Sequence, residues 1–299
     1  MNGVLVIDKP AGMTSHDVVS RVRRVLGQKA VGHIGTLDPL ATGVLPLVIG
    51  SLTRLAQFYT TAEKQYEGVI RFGFSTDTYD AQGVPTCAQQ EPQVTLEQLQ
   101  ELAGRFRGII DQMPPPFSAK KVDGIPAYKL ARKKQDVALK PVQVHIMEFV
   151  IESVEHGRAR FRARVASGTY MRSVAHDLGQ MLGCGAHLES LRRTGVSEFR
   201  IADSHSIEDL ERAPDSAGRE ALFIHPRRLL PQFPSVTATP DVTVRIRNGR
   251  SVNLPELSRA PLVKVFDGQS ELIAICSRVA GTLFHPKIVL AGSPESHRV

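Results

Sequence analysis

The chain has 299 residues, 42% of them hydrophobic and 22% charged, proportions that fit a folded globular protein and exclude disordered or collagen-like chains. That length predicts one large domain, alone or with a smaller second one. The formal charge of +7 favours polyanionic partners, with nucleic acid first among them.

Val4 to Ile7 reads as a buried strand, and Asp8-Lys9-Pro10-Ala11-Gly12 turns the chain into a helix. Ser15 is the expected cap of that helix, Val18, Val19, Val22, Val25 and Leu26 its apolar face, and Gly27 its end. This first apolar run is too short for a signal-peptide core or a membrane span, so a cytoplasmic protein without a membrane partner is expected. Gly32 to Gly43 holds three glycines and Pro39, which predicts a shaped loop. Val44 to Ile49 resumes as a strand, a short helix is expected near Ser51 to Tyr59, and Tyr66 to Phe74 alternates as a strand does.

Thr95 and Gln98 form a capping box for a helix with Leu96, Leu99, Leu102, Ala103 and Phe106 on one face. Residues 144 to 153 and 158 to 165 read as a hairpin around His156-Gly157. Its second strand sets Arg158, Arg160, Arg162 and Arg164 on one face, an expected cationic ribbon for phosphate. A helix is predicted from Tyr170, with Met171, Val174, Ala175, Leu178, Met181 and Leu182 as its stripe and Gly183 as its end. The proline-rich segment 226–240 is aperiodic and is expected to be a linker. Beyond it, Val242–Ile246, Leu262–Phe266, Leu272–Cys276 and Lys287–Leu290 are expected strands of a small β domain. The expected domains are therefore 1–232 and 233–299.

Cys87, Cys184 and Cys276 form no Cys-x-x-Cys pair and have no histidine at zinc spacing, so no metal is expected and each is read as a small buried apolar residue. Asp38 has two local readings. Asp-Pro can start a helix, but Gly43 leaves barely one turn, and Pro39 pushes Asp38 into an extended conformation that suits projecting its carboxylate from a rigid loop.

The loop Gly32-His33-Ile34-Gly35-Thr36-Leu37-Asp38-Pro39-Leu40-Ala41-Thr42-Gly43 resembles the signature of the bacterial tRNA pseudouridine-55 synthase family, of the pseudouridine synthase B type. The segment Gly3 to Ser15, Lys64 to Gly83, Met113-Pro114-Pro115 with Ser118-Ala119-Lys120, Gly168-Thr169-Tyr170-Met171-Arg172 and Gly185 to Arg193 follow in family order. Ile34 and Phe117 depart from the usual threonine and tyrosine, at positions without a chemical role. The resemblance implies an α+β fold: a mixed, mainly antiparallel sheet flanked by helices, with a small C-terminal β-rich, PUA-like RNA-binding domain. It implies isomerisation of uridine to pseudouridine in the T-arm loop of transfer RNA, with no cofactor, no obligate protein partner and a monomeric enzyme.

The resemblance also implies roles for single residues. Asp38 acts on the ribose, Arg172 pairs with Asp38, and Tyr66 stacks on the base. Leu191 walls the uracil pocket, Tyr170 lies beside it, Lys9 supports the tyrosine loop, and His33 fills the space of the extruded base. The basic stretch with Lys120, Lys121, Lys129 and Arg132 supplies phosphate contacts.

Overall fold

The structure is a computed structural model that describes residues 1–118, 120–122, 124–127, 130, 133 and 139–290, with backbone alone at 121, 122, 125 and 126. Lys129 and Arg132 lie outside the described residues, and Lys121 is described only in its backbone.

In chain order the first strands are β1 (Gly3–Lys9), β2 (Val31–His33), β3 (Thr42–Ile49), β4 (Lys64–Phe72), β5 (Gly108–Gln112), β6 (Lys121–Val122) and β7 (Ile125–Pro126). They continue as β8 (Val142–Glu155), β9 (Arg158–Val165), β10 (Ala186–Val196) and β11 (Phe199–Arg200). The helices among them are α1 (Ser15–Leu26), α2 (Leu96–Gly104), α3 (Met171–Met181) and, following β11, α4 (Ile207–Arg212) and α5 (Ser216–Glu220). A mixed sheet runs in the order β1-β3-β10-β4-β9-β8-β5, with β2 on β3 and β11 on β10. Every pair along that path is antiparallel except β3 with β10, where Arg192 and Arg193 lie opposite Thr42 and Gly43.

Pattern and packing agree over most of this sheet. On β9, Ala159, Phe161, Ala163 and Val165 turn into the core beneath the helices while the arginines turn out. His156 and Gly157 both take positive φ, as a tight two-residue hairpin turn requires. The capping box Thr95/Gln98 starts α2, and Gly27 ends α1 in the left-handed conformation.

Several expectations are corrected. Thr14, not Ser15, caps α1, through a reciprocal bond with Asp17. Ser15 is then free to face the Asp38 loop. Three of the four β9 arginines are paired rather than free: Arg158 meets Glu189 at 2.9 Å, Arg162 meets Glu148 at 3.0 Å and Arg164 meets Glu63 at 3.3 Å. Neighbouring strands bring glutamates to the same face, so the charges alternate in sign. Met181 and Cys87 are exposed rather than buried.

Strand β10 had no signal of its own, because bulges at Leu188/Ser190 and Arg193/Gly195 break its alternation and it buries the polar His187 and Arg193. The second sheet comprises β12 (Ser235–Ala238), β13 (Val252–Asn253), β14 (Leu262–Asp267), β15 (Glu271–Ala280) and β16 (Leu283–Val289), in the order β12-β14-β15-β16-β13. Its first strand, β12, lies inside the expected linker and pairs with β14. Val242–Ile246 is not a strand but part of helix α6 (Pro240–Arg247). Pro240 follows the extended Thr239 and opens the helix, and burial falls on Thr243 and Ile246 while Val244 faces water.

The two sheets share an apolar layer in which Val4, Val6, Val48 and Leu55 meet Phe266, Ile275, Ile288 and Leu290. Buried Lys264 donates to the carbonyls of Arg227 and Leu229 at 3.0 and 2.6 Å, holding the intervening chain against β14.

Gly43 has φ +99°, and a side chain there would overlap the backbone of Arg193 on β10, whereas Gly27 has φ +61° and open space. Gly43→Ala should cost roughly 2–4 kcal/mol in urea unfolding, Gly27→Ala about 1 kcal/mol. Equal losses would mean that close approach to Arg193 does not govern the position.

Candidate active site

Asp38 stands on the loop between β2 and β3, and the loop owes its shape to neighbours. The Ser15 hydroxyl accepts from the Leu37 amide at 2.8 Å and donates to the Leu37 carbonyl at 3.1 Å. Lys9 Nζ donates to the carbonyls of Pro10, Met13 and Pro39 at 2.8, 2.7 and 3.4 Å, and Gly12 N also donates to Pro39 O at 2.8 Å. From the other side, Arg193 Nε donates to Val44 O at 2.8 Å, and Nη1 and Nη2 donate to Thr36 O and Gly35 O at 3.2 and 3.0 Å. Only one turn follows Asp38, closed by Ala41 N donating to Asp38 O at 3.1 Å. Asp38 therefore caps no helix, and its carboxylate is projected.

Lys9 and Arg193 are both fully buried. Burial disfavours their charged forms: it lowers the Lys9 pKa to about 8 despite the fields of Asp38 and Asp17, and lowers that of Arg193, with the Tyr66 hydroxyl opposing the shift. Each guanidinium or ammonium N–H aimed at a carbonyl offsets part of that cost.

Arg172, second residue of α3, meets the Asp38 carboxylate at two points. Nη2 donates to Oδ1 at 3.3 Å, and Nε lies 2.9 Å from Oδ2 with its N–H turned off the line of a hydrogen bond. The same guanidinium donates to Thr78 O at 3.1 Å and Phe117 O at 3.0 Å, and Nη1 lies 3.7 Å from Asp80 Oδ2. Asp80 is itself buried and accepts from Thr78 Oγ1 at 2.7 Å and Gln82 N at 3.0 Å. Arg172 is thus a buried cation between two carboxylates. Its side chain is 6% exposed, whereas that of Asp38 is 40% exposed, so the arginine is fixed and the aspartate remains accessible.

Two further contacts set the frame. Gln112 clamps Tyr170 at the start of α3, accepting from its amide at 2.8 Å and donating to its carbonyl at 3.1 Å. Tyr79, at φ +63°, stacks on His176 of α3 with ring centroids 3.8 Å apart, docking the Thr78–Asp80 turn over Arg172.

The exposed side of Asp38 opens into a cleft of about 260 Å³ lined by Tyr66, Tyr170, Arg172, Leu191 and Lys64 among others. Asp38, Tyr66, Arg172, Tyr170 and Leu191 are brought together there. Lys9 lies behind the loop, where it braces Pro39. His33 sits on β2 and does not line the cleft; its Nδ1 is buried without a partner, and burial with the nearby Arg193 pushes its pKa down. Lys120 is exposed. Burial holds the Tyr66 phenol well above its usual range, so it stays neutral.

Sequence reasoning missed Arg193, Asp80 and Lys64. The only local sign of Lys64 is its position two residues before Tyr66, on the same face of β4. Chemically, among the described residues the cleft presents a single carboxylate. That suits attack on a carbon or removal of one proton, but not the paired-carboxylate hydrolysis of a glycosidase.

Residues 23–171 match the TruB family pseudouridylate synthase N-terminal domain, and residues 172–225 match the tRNA pseudouridylate synthase B C-terminal domain. The tRNA pseudouridine synthase B of Solibacter usitatus (strain Ellin6076) is 49% identical over 97% of this chain and 100% of its own length. Those of Azoarcus sp. (strain BH72) and Bacillus cereus (strain ATCC 10987 / NRS 248) are 40% and 38% identical over 92% and 96% of this chain and 88% and 94% of theirs. Among solved structures, the archaeal box H/ACA sRNP Nop10-Cbf5 complex has a chain of TM-score 0.69 at 22% identity, covering 96% of this chain and 86% of that one. A Cbf5-Nop10-Gar1 complex gives 0.70 at 23%, with coverages of 96% and 84%. These chains share the α+β pseudouridine synthase fold.

Lys9 is held near pKa 8 in the fold against its ordinary 10.5. The unfolded chain therefore binds more protons between those values, and the Lys9 contribution to stability rises with pH across that window. In urea melts of wild type and Lys9→Met, the stability difference should move in favour of wild type between pH 8 and 10. A difference independent of pH would place Lys9 in an ordinary aqueous setting.

Proposed function

The chain belongs to the TruB family of pseudouridylate synthases, and from that premise we propose that it acts on uridine 55 in the T-arm loop of transfer RNA, with Asp38 as the catalytic group. It is a transfer RNA pseudouridine synthase, an enzyme that isomerises uridine to pseudouridine. The observation that supports the finer reading best is a single accessible carboxylate, paired at two points with a buried arginine, in a cleft walled by two tyrosines and a leucine.

The reaction breaks the bond between N1 and C1′ and joins C5 to C1′. Uracil leaves as a delocalised anion and returns as the nucleophile, so no water has to be activated and one carboxylate suffices. Asp38 acts on the ribose, by bonding to C1′ or by taking the 2′ proton. Arg172, paired with the Asp38 carboxylate at two points, keeps it aimed. When C5 has bonded, its proton is lost and N1 gains one, so the composition of the nucleotide is unchanged.

C1′ and C5 are inaccessible in a stacked loop, so the uridine is extruded into the cleft, with Tyr66 stacked on it, Leu191 as its apolar wall and Tyr170 beside it. Lys9 holds the loop from behind, and His33 fills the space the base vacates. The basic stretch with Lys120, Lys121, Lys129 and Arg132 meets the phosphates. We place the catalytic domain at 1–232 and a PUA-like RNA-binding domain at 233–299. The enzyme works as a monomer, in the cytoplasm with its substrate.

Release of tritium from T-arm transcripts carrying 5-tritiated uridine tests the reading, and no release by the native protein would reject it. Asp38→Asn should slow release more than ~10³-fold while transcript binding stays within a few-fold. Normal turnover by that variant would remove Asp38 from the chemistry. Arg172→Lys keeps a positive charge but loses the planar fork, and its kcat should fall about 10²-fold; an unchanged kcat would show that charge alone suffices.

A further inference from the structure

Among the described residues four cations stand at or behind the cleft, and three have their donors committed. Arg172 is held by Asp38, Asp80 and two carbonyls. Arg193 and Lys9 each point into three carbonyl oxygens. Lys64, the first residue of β4, differs from them. Its ammonium donates to Ala62 O at 3.2 Å, and among the described residues no carboxylate acts on it. An ammonium carries three donors, so two have no partner among the described residues at the cleft wall.

The surroundings of Lys64 fit it to a charged ligand. Arg193 approaches from β10, the Gly35–Thr36 backbone from the Asp38 loop, Tyr66 from its own strand, and Tyr170 and Arg172 from across the cleft. A side chain at Gly35 would come within 3.2 Å of Lys64 Cε, so the glycine leaves room for the lysine stem. Burial and the Arg193 charge lower the Lys64 pKa to about 8. The ammonium lines the same cleft as Asp38, on the β4 side with Tyr66.

Building on the assignment of the cleft to an extruded uridine, we propose that Lys64 seats the backbone phosphate of that nucleotide. A neutral base enters between Tyr66 and Leu191, and its phosphate meets the half-buried Lys64 ammonium, which has no carboxylate partner among the described residues. Lys64 is then a binding residue that sets how the flipped nucleotide is registered against Asp38, with no part in bond making.

Steady-state tritium release from a T-arm stem-loop tests this with Lys64→Met and Lys64→Arg. The methionine variant should raise KM about tenfold with kcat within twofold, and the slope of log KM against log salt should fall by about 0.7, the share of one phosphate in a single strand. The arginine variant should keep the wild-type KM and salt slope at pH 7. In the wild type KM should climb as pH rises through about 8, because the neutral amine loses the phosphate; Lys64→Arg, charged throughout, should lack that climb. An unchanged KM and salt slope in Lys64→Met would overturn the assignment, as would a fall in kcat at constant KM, which would move Lys64 to the reacting base. A native enzyme that releases no tritium would reject the function itself, whereas a native enzyme that turns over beside an unaffected Lys64→Met rejects only the phosphate contact.

Discussion

Arg193 is a guanidinium without access to water, and its Nε, Nη1 and Nη2 each find a backbone carbonyl, on Val44, Thr36 and Gly35. Burying such a charge is costly unless its donors are satisfied. The need to satisfy them draws three separate stretches of chain to one point: the start of the Asp38 loop, the beginning of β3 and the middle of β10. The close pass of Gly43 over the Arg193 backbone belongs to the same junction. Lys9 does the corresponding work on the far side of the loop, through Pro39. A loop gripped from both sides by cations that only carbonyls can satisfy has little freedom to relax, and this rigidity lets Asp38 keep its carboxylate in the cleft with a single turn of chain behind it.

The electrostatics of the cleft follow from that frame. Arg172 sits between Asp38 and Asp80, so a buried charge is compensated on both sides while only one of the carboxylates reaches the cleft. The stacked pair Tyr79 and His176 and the clamp of Gln112 on Tyr170 hold the two ends of that arrangement to α3. Preorganised charge of this kind favours chemistry in which charge develops on the substrate, because little reorganisation of the protein is needed. A neutral Tyr66 gives the cleft an aromatic face without adding a competing charge.

Positive charge elsewhere on the sheet is distributed differently. The arginines of β9 looked like a phosphate-binding ribbon as a row of side chains on one strand. In the sheet, Arg158, Arg162 and Arg164 stand beside glutamates of neighbouring elements. Such exposed pairs contribute little stability each, but they offset three of the row's four charges. A net charge of +7 therefore does not by itself indicate which surface meets RNA.

Local pattern was sufficient for α1, α2, α3, the β8–β9 hairpin and β4, since their periodicity, caps and turn residues are written within a dozen neighbouring positions. It misread 242–246, where alternating valines lie on a helix opened by Pro240, and it passed over β10, whose bulges and buried arginine hide its strand character. For the site, the ordered motifs brought Asp38, Tyr66, Arg172, Tyr170 and Leu191 together before any coordinates did, and the cleft contains all five. Lys64, Asp80 and Arg193 escaped, because what distinguishes them is the partners they have or lack across distant strands. The sequence by itself determined α1, α2 and α3, the main strands with a clean alternation, the family, and five of the residues that line the cleft. Only the tertiary structure decided which charges are already neutralised and which donors remain open, because pairing between strands and burial among carbonyls depend on contacts that no local pattern encodes.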